Sequence, residues 1–183
     1  MVLVMAELLL FKLATRHPGL TPAIGEGYSE AAAVCLSRHH SSPTEFHLEC
    51  AGATSTCGTA WTSPDERTKL AWANEIDATE AGAYGVSLAA VELSRGMVAV
   101  RRAETLTGAD YYVAPLGSSA DDLEACFRLE VSGTDKGNRA VMRQRLEGKL
   151  EQAAAGCSNL PAIAAVVGFR ERAILIADLA EPR

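Results

Sequence analysis

From residue 64 onward, helix-forming and strand-forming runs follow one another in the order α-β-β-β-α-β-β. That interleaving predicts a mixed sheet flanked by helices, because each amphipathic element must bury its apolar side against a neighbouring layer. The signals are local. Ser63-Pro64-Asp65-Glu66 offers a capping residue, a proline at the first helical position and a glutamate three residues after the cap. Asp77-Ala78-Thr79-Glu80 is a second start, and the chain from Ala81 to Ser94 is mostly apolar until Gly96 stops it. Met97–Val100 reads as a strand with Arg101 and Arg102 at its end. Gly108–Pro115 is a second β-prone run, entered by glycine and stopped by proline, and Cys126–Gly133 is a third. Between them, Ser119–Glu124 suits a short helix. Met142, Leu146, Leu150 and Ala153 or Ala154 recur at helical spacing, which predicts a helix over 138–155 closed by Gly156. Pro161–Phe169 is nearly all apolar and reads as a central strand, with Ile174–Ile176 as one more at the edge.

The first sixty residues carry weaker signals. An apolar start runs into His17-Pro18-Gly19 and suits a buried helix better than a strand. Ser29–His40 reads as a helix and Phe46–Cys50 as a half-buried strand. Residues 51–63, rich in small and hydroxyl side chains, read as a hairpin loop or connector. The 183 residues suit one α/β (α+β) domain, with a helical and strand extension over 1–62 and the main core over 63–183. A chain of this length buries enough surface to need no disulfide or metal staple.

The net charge of −6 argues against non-specific affinity for nucleic acid, which depends on Lys and Arg, but does not exclude a local basic face. Five scattered cysteines without a Cys-x-x-Cys pair read as reduced thiols, which points to the cytoplasm. The apolar start lacks a basic leader and a clean cleavage site, and is too short to span a bilayer, so no membrane role is expected.

Two acidic residues on neighbouring predicted strands are the chemical core of the sequence. Gly108-Ala109-Asp110-Tyr111-Tyr112 presents one and Leu129-Glu130-Val131-Ser132 the other. With the α-β-β-β-α-β order around them, residues 75–170 resemble the restriction-endonuclease-like, or PD-(D/E)XK, nuclease superfamily. The resemblance implies a metal-dependent nuclease of a defence or DNA-processing system that hydrolyses phosphodiester bonds with Mg²⁺ or Mn²⁺. It makes Asp110 and Glu130 the metal ligands, with Glu80 or Glu92 as an acid from the first helix. The lysine usual two residues after the second acid is replaced here by Ser132, so Lys136 or Lys149 must reach in, or the chain is an inactive relative. Hard oxygen ligands suit such a cation, which polarises the phosphoryl oxygen and acidifies a bound water. Lys136, Arg139, Arg143, Arg145 and Lys149 outnumber Asp135 and Glu147, giving a basic surface suited to phosphates.

Each of these residues also has a purely structural reading. Asp110 can open a strand or accept a turn hydrogen bond, and Glu130 can lie on a solvated face. Glu80 can complete a capping box begun by Asp77, Glu92 can be an ordinary surface residue, and the basic helix can be a solvated, ion-paired face. Those readings favour a non-catalytic α/β scaffold or interaction subunit. A second copy of the chain or another protein is also open as a partner. His39, His40, His47, Cys50 and Cys57 have the right chemistry for zinc, but only His47-x2-Cys50 has ligand-like spacing.

Overall fold

The structure, a computed structural model, describes residues 6–105, 107–118, 123–156 and 158–179. The chain enters extended, burying Leu8 and Leu10, and makes a single helical turn, α1 (Leu13–Arg16). Of the apolar helix expected over the first fifteen residues, residues 1–5 lie outside the described residues, and among residues 6–15 only the start of that turn is helical. Helix α2 (Pro22–Ser37) starts well before Ser29. Thr21 caps it by accepting the Ile24 N–H, and Pro22 sits in the first turn, where its missing N–H leaves no bond unmade.

Strands β1 (Thr44–Cys50) and β2 (Ala53–Thr59) form an antiparallel hairpin across Ala51 and Gly52, whose φ angles are 51° and 78°. Two successive positive φ values match the right-handed twist of the strands they join. The expected connector over 51–63 is thus largely strand. Its first four strand residues are exposed, so no apolar alternation marks it in the sequence. Helix α3 (Glu66–Ala71) is capped by Asp65 rather than Ser63. Helix α4 (Glu75–Arg95) is capped by Asn74, which accepts the Ile76 and Asp77 N–H groups. Asp77 therefore lies inside α4, and Glu80 completes no capping box. Gly96 ends α4 at a φ of 64°, as expected.

The remaining elements are β3 (Met97–Arg102), β4 (Tyr111–Pro115), β5 (Phe127–Thr134), α5 (Arg139–Ala155), β6 (Ala162–Gly168) and β7 (Ala173–Asp178). The helix expected over 119–124 falls largely outside the described residues. All seven strands form one mixed sheet in the order β2-β1-β7-β6-β5-β4-β3. Strands β3, β4 and β5 form an antiparallel meander, and α5 then carries the chain over to β6, parallel to β5. β7 is not an edge strand, because β1 pairs alongside it in parallel. Residues 44–59 thus complete the same sheet as the later strands.

Helices α2 and α4 cover one face, where Tyr111, Leu129, Val131, Ile163, Ala165, Val167 and Ile174 are buried in the main core. Helix α5 covers part of the other face, where Met142 packs with Val166, Ala173 and Leu175. Strand β6, covered on both sides, is buried at every position, which explains its apolar sequence. Helix α5 is mostly polar: of the expected stripe, Met142 and Ala153 are fully buried and Leu146 partly so.

Gly133 sets the distance between β5 and α4. A Cβ there would lie 2.8 Å from the Ala83 Cβ and 2.9 Å from the Thr79 carbonyl oxygen, neither of which can yield without moving the helix. Gly133→Ala is expected to cost about 2 kcal/mol, the usual scale of overpacking, and to lower the urea midpoint without changing the slope. An unchanged midpoint would mean that α4 is free to slide on β5.

Candidate functional site

Asp110, the residue before β4, is fastened on both sides of Glu130. Its backbone N–H donates to the Leu129 carbonyl at 2.8 Å, and its Oδ2 accepts the Val131 N–H at 2.8 Å. The side chain thereby supplies the acceptor that β4 no longer offers where it starts beside β5. Gly108 enters this corner with a φ of 65°, a conformation that costs glycine nothing. From the other side of the corner, α4 contributes Tyr84. Its hydroxyl lies 2.8 Å from Asp110 Oδ1 and 3.2 Å from Glu80 Oε1, so one proton serves two carboxylates.

Glu130 lies on β5 with its side chain only 2% exposed, and Lys149 of α5 reaches it with Nζ 2.7 Å from Oε2. Burial raises the Glu130 carboxyl above the ordinary glutamate range; the Lys149 hydrogen bond opposes the shift and the Asp110 charge adds to it. That influence of the Asp110 charge on Glu130 is the electrostatic mark of their proximity. A buried carboxylate held beside a second one disfavours its own charge, an arrangement that recurs where charge has work to do.

Two clefts of about 510 Å³ each meet at Asp110. The first runs past Glu75, Glu80, Tyr84, Ser132, Lys136, Arg145 and Lys149. The second is lined by Arg102, Glu104, Glu130 and Gln152. Ser132 faces the first cleft, and its hydroxyl accepts from Arg145 Nη1 at 3.3 Å. Arg145 and Lys149, four residues apart on α5, therefore bring two cations to the part of β5 where Ser132 carries none.

The other candidates are distributed as follows. Lys136 lies at the far end of the first cleft and pairs with Glu75 at 3.2 Å. Glu80 is exposed in the same cleft, near Asp110 through Tyr84. Glu92 is at the other end of α4, about 18 Å along the axis from Glu80. It holds Arg16 at 2.9 Å and lies 3.2 Å from the buried His17, tying α1 to α4 and leaving Glu80 as the helical acid of the site. Arg139 and Arg143 turn to Glu49 on β1, at 3.6 and 3.9 Å, and neither lines the clefts. Of the three arginines expected at phosphates, only Arg145 lines the site.

The histidine and cysteine group is dispersed. His39 pairs with Asp135 at 3.1 Å, His40 bonds the Phe169 carbonyl at 2.9 Å, and Cys57 is buried in the main core. Cys35, Cys50 and Cys57 are free thiols, Cys126 is buried beside Val98 and Val100, and Cys157 lies outside the described residues. Burial pushes the Cys35 thiol up to about 12 and that of Cys57 to about 11, so neither is a nucleophile near neutral pH. Among the described residues no group of three or more His, Cys, Asp and Glu side chains is placed to hold a metal ion. No helix among them is long and apolar enough to cross a membrane.

Tyr84 and Arg102 are the site residues that sequence reasoning missed. Tyr84 stands one helical turn after Glu80, on the same face of α4, and that spacing was the one available signal. Arg102 shows only as a charged strand end. No protein-family model, curated protein or solved structure matches this chain.

Proposed function

We propose that the chain is a metal-dependent nuclease of the restriction-endonuclease-like type, hydrolysing phosphodiester bonds of nucleic acid. The observation that carries this reading is the cleft that Asp110 and Glu130 line together, with Lys149 2.7 Å from Glu130. The antiparallel β3-β4-β5 meander, followed by α5 and a parallel β6, supports it as well. The lysine absent from β5 is supplied by α5, one layer away.

Carboxylate oxygens are the donors that a small, hard cation prefers. Asp110 and Glu130 would hold Mg²⁺ or Mn²⁺, joined by the Val131 carbonyl, which shares a strand edge with the N–H that Asp110 takes. Two carboxylates suffice because Mg²⁺ keeps several of its waters. When bound, the ion polarises the phosphoryl oxygen and makes a bound water acidic. Lys149 would orient a water there, and its ammonium offsets the charge of the buried Glu130. Glu80 holds its place at the rim through Tyr84, and Arg145, which lines the first cleft, offers a phosphate contact.

Metal titration tests the ligand assignment. Wild type should bind Mg²⁺ or Mn²⁺ weakly by calorimetry, and Asp110→Asn should lose most of that heat. Asparagine keeps an oxygen for the Val131 N–H, so the corner survives while the charge goes. Equal binding by both proteins would remove Asp110 from the ligand set.

A non-catalytic scaffold is the second reading. It is favoured by the partners these acids already have, Val131 and Tyr84 for Asp110 and Lys149 for Glu130. Cleavage assays with purified protein across several metals separate the two: a chain that neither cuts nor binds nucleic acid is the scaffold.

A further inference from the structure

We propose that Arg102 is a catalytic residue of this centre, its guanidinium contacting the reacting phosphate from the side opposite Lys149. The inference rests on the nuclease reading above. Arg102 is the last residue of β3 and pairs in the ladder with Tyr111 of β4, next to Asp110. Its Cζ lies 4.5 Å from the Tyr84 ring centroid and 4.7 Å from that of Tyr111. Nη2 donates to the Tyr84 hydroxyl at 3.0 Å. Two ring faces and one hydrogen bond thus hold a long, flexible side chain in one position.

Such immobilisation is informative because the side chain remains 48% exposed. An arginine that only neutralised Asp110 would form a direct, forked bond with it. Here the closest approach is 3.6 Å, and the Tyr84 hydroxyl bridges the two. The Tyr84 hydroxyl takes one N–H of the Arg102 guanidinium, a group with five such donors, and the side chain lines the cleft it shares with Asp110 and Glu130. Lys149 lines the first cleft, Arg102 the second, and Asp110 both. A phosphate seated against Asp110 therefore has a cation on either flank, and the fork of Arg102 matches its oxygens in pairs.

During hydrolysis the water oxygen forms a new bond to phosphorus while the ester bond to the leaving sugar oxygen breaks. The attacking water gives its proton to solvent, and the leaving oxygen takes one back. Arg102 exchanges no atom or electron. It stabilises the charge that grows on the phosphoryl oxygens, the task for which fixed cations are suited in phosphoryl transfer.

The test is single-turnover cleavage at saturating DNA or RNA by wild type, Glu130→Gln, Arg102→Lys and Arg102→Ala, with binding measured in parallel. Arg102→Ala should slow the chemical step roughly a hundredfold while its dissociation constant stays within a fewfold of wild type. Arg102→Lys should recover only part of the rate, because an ammonium neither stacks nor forks. Added guanidinium ion should restore part of the rate in Arg102→Ala, whereas ammonium should not. Such rescue also requires a folded protein, so it separates a missing contact from a damaged fold. Wild-type rates in Arg102→Ala, beside a dead Glu130→Gln, would overturn the role of Arg102 and leave the nuclease reading intact. Weaker binding at an unchanged rate would make Arg102 a docking residue and overturn the proposal too. Absence of cutting by wild type on every nucleic acid would sink both.

Discussion

Glu130→Gln is expected to lower nucleic-acid cleavage by roughly a thousandfold or more while leaving the protein folded. On the proposed nuclease reading, the variant removes one of the two charges proposed to hold the metal at nearly constant shape, and single preorganised charges at a reacting centre contribute on that scale. The fold is expected to survive for a reason visible at the residue itself. Burial raises the Glu130 carboxyl above its ordinary value of 4.5, so folding favours its protonated form relative to the unfolded chain. For such a group the contribution to stability is fully present below the unfolded value and is lost as pH rises through the folded one. Glutamine cannot ionise and escapes that loss. Urea denaturation of wild type and Glu130→Gln should therefore show the variant gaining on wild type as pH rises from 4.5 to 8. A variant that falls increasingly behind over that range would mean that the ionised Glu130 stabilises the fold, and that loss of cutting could reflect unfolding. Cutting that persists unchanged in Glu130→Gln would rule out this carboxylate as a ligand.

Lys149→Met is expected to have the largest effect on stability. It removes the partner 2.7 Å from a carboxylate that is 2% exposed, leaving a buried charge without its counterion. Breaking a buried pair in this way costs about 3 kcal/mol or more. The cost has an escape, because Glu130 can take up a proton. The destabilisation should thus be greatest near pH 8 and shrink toward pH 5. Glu130→Gln/Lys149→Met should recover much of the loss, since neither charge then remains. Cleavage should fall sharply in Lys149→Met and stay low in the double variant, which separates the stability role of Lys149 from its role toward the water. Lys136→Ala, by contrast, removes a pair exposed on both sides and should change stability little. A Lys149→Met protein with pH-independent wild-type stability would show that the pair is open to solvent.

Both results depend on a placement that no local pattern in the sequence reveals. Lys149 was one of two lysines able to replace the charge absent at Ser132. The crossover from β5 lays Lys149 of α5 on Glu130, whereas Lys136, in the turn before α5, pairs with Glu75. The same holds for the arginines: Arg139 and Arg143 have the composition of a phosphate-binding face, but β1 lies beside β7 and puts Glu49 within their reach. Glu92 was indistinguishable from Glu80 by helix and charge alone. Position along α4 separates them, one turned to Tyr84 and the other to Arg16 and His17.

What the sequence by itself determined is the succession of elements from α3 to β7, the close of α4 at Gly96, the buried character of β6 and the place of Glu130 on a strand, with Asp110 just ahead of β4 rather than within it. These are legible because capping, glycine termination and apolar periodicity act over a few residues. Tertiary structure alone decided the strand order, the inclusion of β1 and β2 in the sheet, the interior position of β7, and the joining of Tyr84 and Arg102 to Asp110. Those outcomes depend on hydrogen-bonded ladders and helix crossings between segments remote in the chain. Strand β2 makes the physical reason plain: with most of its side chains in solvent, only pairing with β1 makes it a strand, and pairing leaves no periodic trace in one sequence.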